Sequence, residues 1–287
     1  MSLNPVLKWA GGKRHIAEVL AQKLPTSFNT YFEPFIGGAA FFLHLDHRPS
    51  VVGDINIGLT NFYGVLREST QGLMSSIRAF AESFDALDNL SQKASYYSVR
   101  DAFNGNLNQR RAGLASLESR QEDARNFYVL NKLAFNGLYR ENQKGLFNVP
   151  FNGRKSFPPV DEQRFLAMAQ RLSGTTILTA DFETVTKDAA DGDFVYFDPP
   201  YVPLTPSASF TSYSRGGFGL EEQNRLSRVM SELADRGVKA MLSNSATPIA
   251  REIYSDFRVD EIEAPRVISS KAATRGSVME IVVRNYK

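Results

Sequence analysis

The chain has 287 residues, of which 43% are hydrophobic and 22% are charged, and its formal net charge is +2. This length suffices for one large α/β domain with an insertion or for two small domains. The lack of cysteine excludes disulfide bonds, thiolate metal ligands and a cysteine nucleophile, and fits a reducing cytoplasm. No apolar run is long enough to span a membrane and the N-terminus lacks a signal-peptide pattern, so we expect neither membrane insertion nor secretion.

The first motif in the chain is Lys8-Trp9-Ala10-Gly11-Gly12-Lys13, followed by a short amphipathic pattern that stops at Pro25. Glycine allows the backbone to approach a ligand closely, so the motif is interpreted as one wall of a ligand pocket. The alternative is an ordinary helix N-terminus. It is not a phosphate loop, because Leu7 and Arg14 stand where that loop needs glycine and Ser or Thr.

Residues 30–42 predict a strand, a turn of small residues and a helix, without the Gly-x-Gly-x-x-Gly of dinucleotide-binding proteins. A second short strand over residues 50–53 ends in Asp54. In nucleoside-binding α/β folds, an acid at the end of the second strand accepts hydrogen bonds from ribose hydroxyls. The two segments therefore favour a nucleoside ligand over NAD.

Residues 60–157 differ from the rest, because helical periodicity dominates there. Asn136-Gly137 predicts a hairpin or tight turn, so we expect a helical insertion with a projecting loop or hairpin. A solvated basic face is one interpretation of residues 125–155, but interleaved aromatic residues favour nucleic-acid binding. Glu141 is the one acid there, and the basic residues are Arg125, Lys132, Arg140, Lys144, Arg154 and Lys155.

The α/β alternation then resumes, and a strand over residues 193–197 ends in Asp198-Pro199-Pro200-Tyr201. Proline cannot donate to a sheet and fixes φ, so the strand must stop at Asp198 and a stiff turn must follow. The Asp198 carboxylate and a backbone carbonyl are suited to accept hydrogen bonds from an exocyclic amino group. The Tyr201 ring is suited to stack on the base that carries this group. An ordinary strand-to-turn junction is the alternative. A polar loop over residues 204–219 is predicted to be a lid.

Taken in order, these motifs resemble the Dam-type DNA adenine-N6 methyltransferases, a GATC-methylating family of the α group. The resemblance covers nearly the whole chain and also includes Asn136-Gly137-Leu138-Tyr139-Arg140 and Ala180-Asp181-Phe182. It implies an α/β fold, with a Rossmann-like S-adenosylmethionine-dependent methyltransferase sheet whose seventh strand is antiparallel, and a helical target-recognition insertion. Residues 1–59 and 158–287 would form the catalytic domain, and residues 60–157 the DNA-binding domain.

The resemblance also implies roles for single residues. Asp198, Pro199 and Tyr201 would hold a flipped-out target adenine. S-adenosylmethionine, released as S-adenosylhomocysteine, would be bound by Trp9, Ala10, Lys13, Phe35 and Gly37, with Asp54 on the ribose and Asp181 and Phe182 on the adenine. DNA would be contacted by Lys8, Phe135, Asn136, Leu138, Arg140, Pro150 and Arg154, with Lys271 and Arg275 on phosphates.

One departure from the family pattern concerns the target sequence. Close relatives continue Asn-Val-Pro-Phe with Gly-Arg, whereas Asn152 intervenes here before Gly153-Arg154. GATC is therefore the expected target, but whether the enzyme is strict for it stays open.

Rival functions are methylation of RNA adenine or of cytosine N4, and a non-catalytic, nucleoside-responsive DNA-binding protein. The intact Asp198 argues against the non-catalytic alternative. We expect double-stranded DNA as the partner and base flipping as part of the reaction. We also expect no membrane association and a monomeric, cytoplasmic enzyme that is prokaryotic or phage-encoded. Enzymes of this kind occur in restriction-modification systems. No metal is expected, because His15, His44 and His47 form no ligand pattern.

Overall fold

The computed structural model describes residues 4–113, 116–203, 218–265 and 277–287. Most of the predicted lid, together with Lys271 and Arg275, lies outside these residues. The chain forms two compact units, and residues 60–157 all belong to the first. The first unit comprises Met1–Gly12, Gly37–Asp46 and Asp54–Thr179, and the second comprises Lys13–Ile36, His47–Gly53 and Ala180–Lys287.

The strands of the described residues are β1 (Tyr31–Glu33), β2 (Ser50–Asp54), β3 (Thr175–Thr179), β4 (Phe194–Phe197), β5 (Lys239–Ser245), β6 (Arg258–Pro265) and β7 (Ser277–Arg284). Within that part of the chain they form a seven-stranded sheet in the order β3-β2-β1-β4-β5-β7-β6. β1 is parallel to β2 and β4, and β4 is parallel to β5. β7 runs antiparallel to both β5 and β6. The predicted α/β sheet with an antiparallel seventh strand is confirmed.

Strand register in the second unit decides which side chains meet at the carboxyl end of β4. β4 is buried along its whole length, as expected for a central strand with four apolar residues. Phe197 lies opposite Leu242, so the next residues, Asp198 just after β4 and Ser243 within β5, lie side by side. β7 brings Glu280 opposite Ser245 of β5. Three polar residues from distant parts of the sequence are therefore placed at one edge of the sheet.

Two helices cover the core of the second unit. α10 (Leu220–Asp235) buries Gln223, Leu226, Val229, Met230 and Leu233 at helical spacing. α11 (Pro248–Ile253) begins at the N-cap Thr247, whose hydroxyl accepts from the backbone of Ala250. The unit also contains α1 (Ala17–Ala21) and α9 (Phe182–Thr186). Apolar residues of α9, α10 and α11 pack with those of β1, β4, β5 and β7 in a common core.

The first unit is mainly helical. Its helices are α2 (Ala40–Leu45), α3 (Ile57–Glu68), α4 (Thr70–Asp85), α5 (Asn89–Gly105), α6 (Leu107–Ala112), α7 (Leu117–Leu133) and α8 (Glu162–Leu172). α7 packs against α3, α4 and α5 and is buried on most of its surface. Side-chain caps start four of these helices, at Asn56, Asp88, Ser116 and Asp161.

The predicted turn at Asn136-Gly137 is present, and both residues have positive φ, at 57° and 66°. The hairpin-like reversal, however, lies further along the chain. Glu141 pairs antiparallel with Phe147, and Gly145 closes the tip by donating to the Asn142 carbonyl. The positive φ of Gly145 suits this tip.

A buried ion pair makes the first unit sensitive to one substitution. Arg110 Nη1 lies 3.1 Å from Asp123 Oδ1, and the two side chains are 4% and 2% exposed. Asp123→Ala leaves the Arg110 charge buried without its counterion. We expect the free energy of unfolding to fall by about 3–5 kcal/mol, measured by urea denaturation.

The control is Arg78→Ala, which breaks the exposed pair between Arg78 and Glu162 of the same unit. Its loss should be about 0–1 kcal/mol, because solvent screens exposed charges. Equal losses for the two variants would contradict the importance of the buried pair.

Candidate active site

The carboxylate of Asp198 stands directly after β4, where the two prolines end the strand. Lys13 comes from a 3₁₀ turn over Lys13–His15 and places Nζ 2.7 Å from Asp198 Oδ1. The Ser243 hydroxyl donates to the same oxygen at 3.2 Å. Lys13 is only 6% exposed, so this ion pair is largely shielded from water. The structure thus brings together two residues that the sequence assigned to different roles.

Two opposing effects set the protonation of Asp198. Burial raises the pKa of its carboxyl above the usual value, because removal from water disfavours the charged form. The charge of Lys13 and the hydrogen bonds from Lys13 and Ser243 lower that pKa and offset part of the rise. The carboxylate is therefore an acceptor whose charge depends on the groups around it.

Tyr201 lies beside this ion pair. Lys13 Nζ is 4.4 Å from the centre of the Tyr201 ring, within the range of a cation–π interaction. The Tyr201 hydroxyl donates to Glu280 Oε2 at 2.7 Å, which fixes the outer end of the ring. Burial raises the pKa of Glu280, and the hydrogen bond from Tyr201 opposes that rise. Ring and carboxylate are thus held in a defined relation at one strand end.

Asp181 and Phe182, predicted to contact an adenine ring, begin α9. Asp181 is its N-cap and accepts from the Glu183 backbone at 3.0 Å. The Phe182 ring stacks on Phe35, with centroids 5.6 Å apart. Arg225 of α10 donates to the Asp181 carboxylate and lies 4.2 Å from the centre of the Phe182 ring. These residues form a largely buried aromatic cluster, and the Asp181 carboxylate at its edge is paired with Arg225.

In the first unit, the Trp9 ring explains why residues 37 and 38 are glycine. A Cβ on Gly37 would lie 2.7 Å from Trp9 Cδ1, and one on Gly38 would lie 2.9 Å from Trp9 Cβ. Gly37 also has φ +44°, which side-chain-bearing residues rarely adopt. Trp9 in turn stacks on Tyr139, with ring centroids 5.6 Å apart. Ala10, next to Trp9, is exposed.

Asp54, the predicted ribose ligand, ends β2 and is held by backbone donors. Gly37 N donates to Oδ2 at 3.3 Å, and Asn56 N donates to Oδ1 at 2.9 Å. Burial nevertheless raises the pKa of this carboxyl from 3.8 to about 6. A carboxylate has about four acceptor positions, so hydroxyl groups of a ligand can still donate to it.

The predicted DNA-contacting residues at the chain's N-terminus and in the insertion partly come together in the first unit. Asn131 of α7 pairs with both backbone groups of Lys8, accepting from its N–H at 3.0 Å and donating to its carbonyl at 2.7 Å. Gly137 packs closely on the Lys8 side chain. Lys8 is therefore fixed beside the 3₁₀ turn that carries Phe135 and Asn136, both of which are exposed.

The remaining predicted DNA contacts lie along the segment that follows. Arg140 is exposed, and its Nε donates to Asn148 Oδ1 at 2.8 Å, which orients the guanidinium. The exposed Pro150 accepts from the Phe135 backbone at 2.9 Å. Leu138 is half-buried and Arg154 is exposed. The structure thus joins the segments of residues 134–137 and 150–152 through backbone contacts.

Several residues of the site were not identified from the sequence. Ser243 and Glu280 contact Asp198 and Tyr201, Arg225 contacts Asp181, and Asn131 holds Lys8. The sequence feature that could have identified some of them is a run of polar residues within an apolar segment, such as Ser243-Asn244-Ser245 at the end of β5. In the described part of the chain, no group of three His, Cys, Asp or Glu residues is arranged to hold a metal ion. No helix of those residues is long and apolar enough to cross a membrane.

Comparison with known proteins gives the chain a family. Residues 9–268 match the family described as D12 class N6 adenine-specific DNA methyltransferase. The chain is 37% identical to the type II methyltransferase M1.LlaDCHI of Lactococcus lactis subsp. cremoris, over 100% of this chain and 96% of that protein. It is 35% identical to the type II methyltransferase M.MjaIII of Methanocaldococcus jannaschii, over 100% of each. The DNA adenine methylase of Escherichia coli K12 is 32% identical, over 96% and 93%.

The raised pKa of Asp54 gives a prediction about stability. The folded-state pKa is about 6 and the ordinary value is 3.8, so the folded chain holds this proton more tightly than the unfolded chain. Stability from this group is therefore complete below about pH 4 and is lost as pH rises through about 6. Asp54→Asn should abolish this component, measured by urea denaturation at a series of pH values.

The quantity to compare is the difference in unfolding free energy between wild type and Asp54→Asn. It should fall as pH rises across that window. Asp188→Asn, at a side chain 84% exposed, serves as the control for the substitution of Asp by Asn. A flat difference for Asp54→Asn would contradict the shifted pKa.

Proposed function

The chain belongs to the D12 class of N6 adenine-specific DNA methyltransferases, and we propose that it transfers the methyl group of S-adenosylmethionine to a flipped-out adenine within GATC of duplex DNA. The observation that carries this proposal is the Asp198 carboxylate at the end of β4, with Lys13, Ser243 and the Tyr201 ring around it. Family membership favours adenine in DNA over the alternatives in RNA or at cytosine N4.

Asp198 and Pro199 position the reacting nitrogen. The lone pair of the adenine amino group is delocalised into the ring, so the nitrogen is a poor nucleophile. Hydrogen bonds from its two protons to the Asp198 carboxylate and the Pro199 carbonyl favour a pyramidal nitrogen with a directed lone pair. This is catalysis by orientation and by charge, because positive charge develops on the nitrogen near the carboxylate.

Tyr201 holds the base once it has left the duplex. The amino group is inaccessible inside the helix, and flipping the nucleotide out costs a few kcal/mol. Stacking on an aromatic ring recovers about 1–3 kcal/mol. The hydrogen bond from Tyr201 to Glu280 keeps the ring in place for this contact.

Lys13 contacts the same two groups that are proposed to hold the substrate adenine. In the structure it occupies the Asp198 oxygen and lies over the Tyr201 ring, the two groups assigned to the adenine. When an amino proton donates to Asp198, it replaces or shares this contact. The Lys13 charge favours the deprotonated form of Asp198 and so opposes the rise in its pKa caused by burial.

The residues proposed for S-adenosylmethionine fit its chemistry. When bound, this cofactor supplies an electrophilic methyl group on a sulfonium. In the first unit, Asp54 would accept hydrogen bonds from the ribose hydroxyls, with Trp9, Ala10 and Gly37 nearby. In the second unit, Asp181 would accept from the adenine amino group, Phe182 and Phe35 would provide apolar contacts, and Lys13 would also hold the cofactor.

We propose that residues 60–157 select the DNA target and that residues 1–59 and 158–287 perform catalysis. The exposed Arg140 is the candidate for bidentate contact with guanine in the major groove. Lys8, Phe135, Asn136, Leu138, Pro150 and Arg154 are proposed to contact DNA around it. Lys271 and Arg275 are proposed as phosphate contacts. The enzyme is proposed to act as a monomer in the cytoplasm, without a metal.

The activity is tested by labelled methyl transfer from S-adenosylmethionine to matched duplexes with and without GATC. We expect incorporation into the GATC duplex at N6 of adenine. Asp198→Ala should abolish transfer, because the amino group loses its main acceptor, while cofactor binding by calorimetry stays at the wild-type level. Asp188→Ala is the control at an exposed site of the same unit and should be fully active.

Equal incorporation into both duplexes would overturn the GATC assignment but not adenine methylation. Substantial turnover by Asp198→Ala would overturn the proposed mechanism.

Arg140→Ala tests sequence reading by the insertion. Loss of a bidentate contact with guanine should reduce the free-energy discrimination against the wrong base by about 1–3 kcal/mol. Duplexes with one wrong base pair should therefore become better substrates relative to GATC. The measurement is kcat/KM on GATC and on single-base variants. Arg100→Ala, at another arginine of the first unit, is the control. A uniform loss across all duplexes would make Arg140 a phosphate contact.

A further inference from the structure

Two backbone groups flank Tyr201, and both are bound by side-chain amides from other elements. The Pro200 carbonyl accepts from Gln223 Nε2 at 2.8 Å. The Val202 N–H donates to Asn244 Oδ1 at 3.0 Å. Gln223 belongs to α10 and Asn244 to β5, so the turn is held from two directions.

The two amides, called the amide pair below, are also bound to each other. Asn244 Nδ2 donates to Gln223 Oε1 at 3.0 Å. The Tyr254 hydroxyl donates to the same oxygen at 2.7 Å. Ser245 adds a hydrogen bond from Oγ to the Val202 carbonyl at 2.5 Å. The network is therefore continuous from α10 through β5 to both sides of Tyr201.

Partner chemistry fixes the orientation of the amide pair. A carbonyl only accepts, so Gln223 must turn its nitrogen to Pro200. A backbone N–H only donates, so Asn244 must turn its oxygen to Val202. Gln223 is 1% exposed and Asn244 is 0% exposed, so water does not compete for these bonds. Buried and satisfied networks of this kind are rigid.

We propose that the amide pair consists of positioning residues, which act on the methylation reaction by holding the Tyr201 ring where the flipped adenine stacks. This inference rests on the proposed role of Asp198-Pro199-Pro200-Tyr201. Neither amide touches the base. Each fixes one side of the residue that does, while Glu280 fixes the far end of the ring. Tyr201 is held by the backbone on both sides and by its hydroxyl, so its side chain loses little conformational freedom when the base binds.

The first test is Gln223→Met, which keeps the side-chain length and removes the amide. We expect the single-turnover rate of methyl transfer to fall about 10- to 100-fold, because small displacements of a positioning group have effects of this size. The dissociation constant for S-adenosylmethionine should be unchanged. Asn224→Ala is the control on the same helix, since Asn224 is exposed and bonds only within α10 among the described contacts. It should keep the wild-type rate.

The second test distinguishes positioning from general stability. If Gln223 acts through Tyr201, then Gln223→Met should reduce the rate far less in a Tyr201→Ala background than in wild type. Losses that simply multiply would overturn the proposal. So would a folded Gln223→Met enzyme with the wild-type rate, or one whose cofactor affinity falls in proportion to its rate.

Tyr254→Phe keeps the test decisive if Gln223→Met does not fold. It removes one hydroxyl that orients Gln223 and leaves both contacts to the turn, so we expect a smaller fall in rate. A wild-type rate would then overturn the proposal. If the wild-type enzyme itself does not methylate adenine in DNA, the proposed function fails, which is a different result from an active enzyme that is indifferent to the amide pair.

Discussion

The rest of the site depends on keeping a carboxylate charged where water is largely excluded. Burial raises the pKa of Asp198, and an isolated charge in such a place would be neutralised by a proton. Lys13 and Ser243 oppose this rise in pKa by offering a cation and a hydroxyl to one oxygen. A ligand that donates to Asp198 then replaces or shares the Lys13 contact. The strand register that puts Asp198 beside Ser243 is therefore a requirement for the chemistry as well as for the sheet.

The same constraint explains why so many polar side chains are buried around one turn. Two consecutive prolines leave the turn with few donors of its own, so its remaining backbone groups need partners from elsewhere. Gln223, Asn244 and Ser245 supply them. The apolar faces of α10 and β5 pack in the core, and their few polar residues are directed at the turn. Packing thus delivers the hydrogen-bonding groups to the place where the proline turn lacks them.

The family, the chemistry and the sheet were predictable from ordered motifs, and the family match confirms them. Asp198 and Asp54 were found because each directly follows a predicted strand in the sequence, and Asp181 was found through the family resemblance. Ser243, Glu280, Gln223 and Asn244 were not found, because their partners are 21 to 79 residues away and the contact depends on strand register and helix packing. The tight turn at Asn136-Gly137 was predicted and is present, whereas the positions of the antiparallel pairs were not predicted. Those pairs are Ala134 with Phe151 and Glu141 with Phe147.

Asn152, the residue that departs from the family pattern, is built into the fold of the insertion. Its N–H donates to the Leu133 carbonyl at 2.9 Å and its side-chain amide donates to the Lys132 carbonyl at 3.3 Å, so it binds the end of α7. Its Oδ1 accepts from the Arg154 backbone at 2.9 Å and forms the turn that directs that residue. The extra residue therefore sets the position of Arg154 instead of leaving it loose. Arg140 is oriented by a different residue, because its Nε donates to Asn148 Oδ1. The position of Arg154 therefore depends on the contacts of Asn152, whereas the position of Arg140 does not.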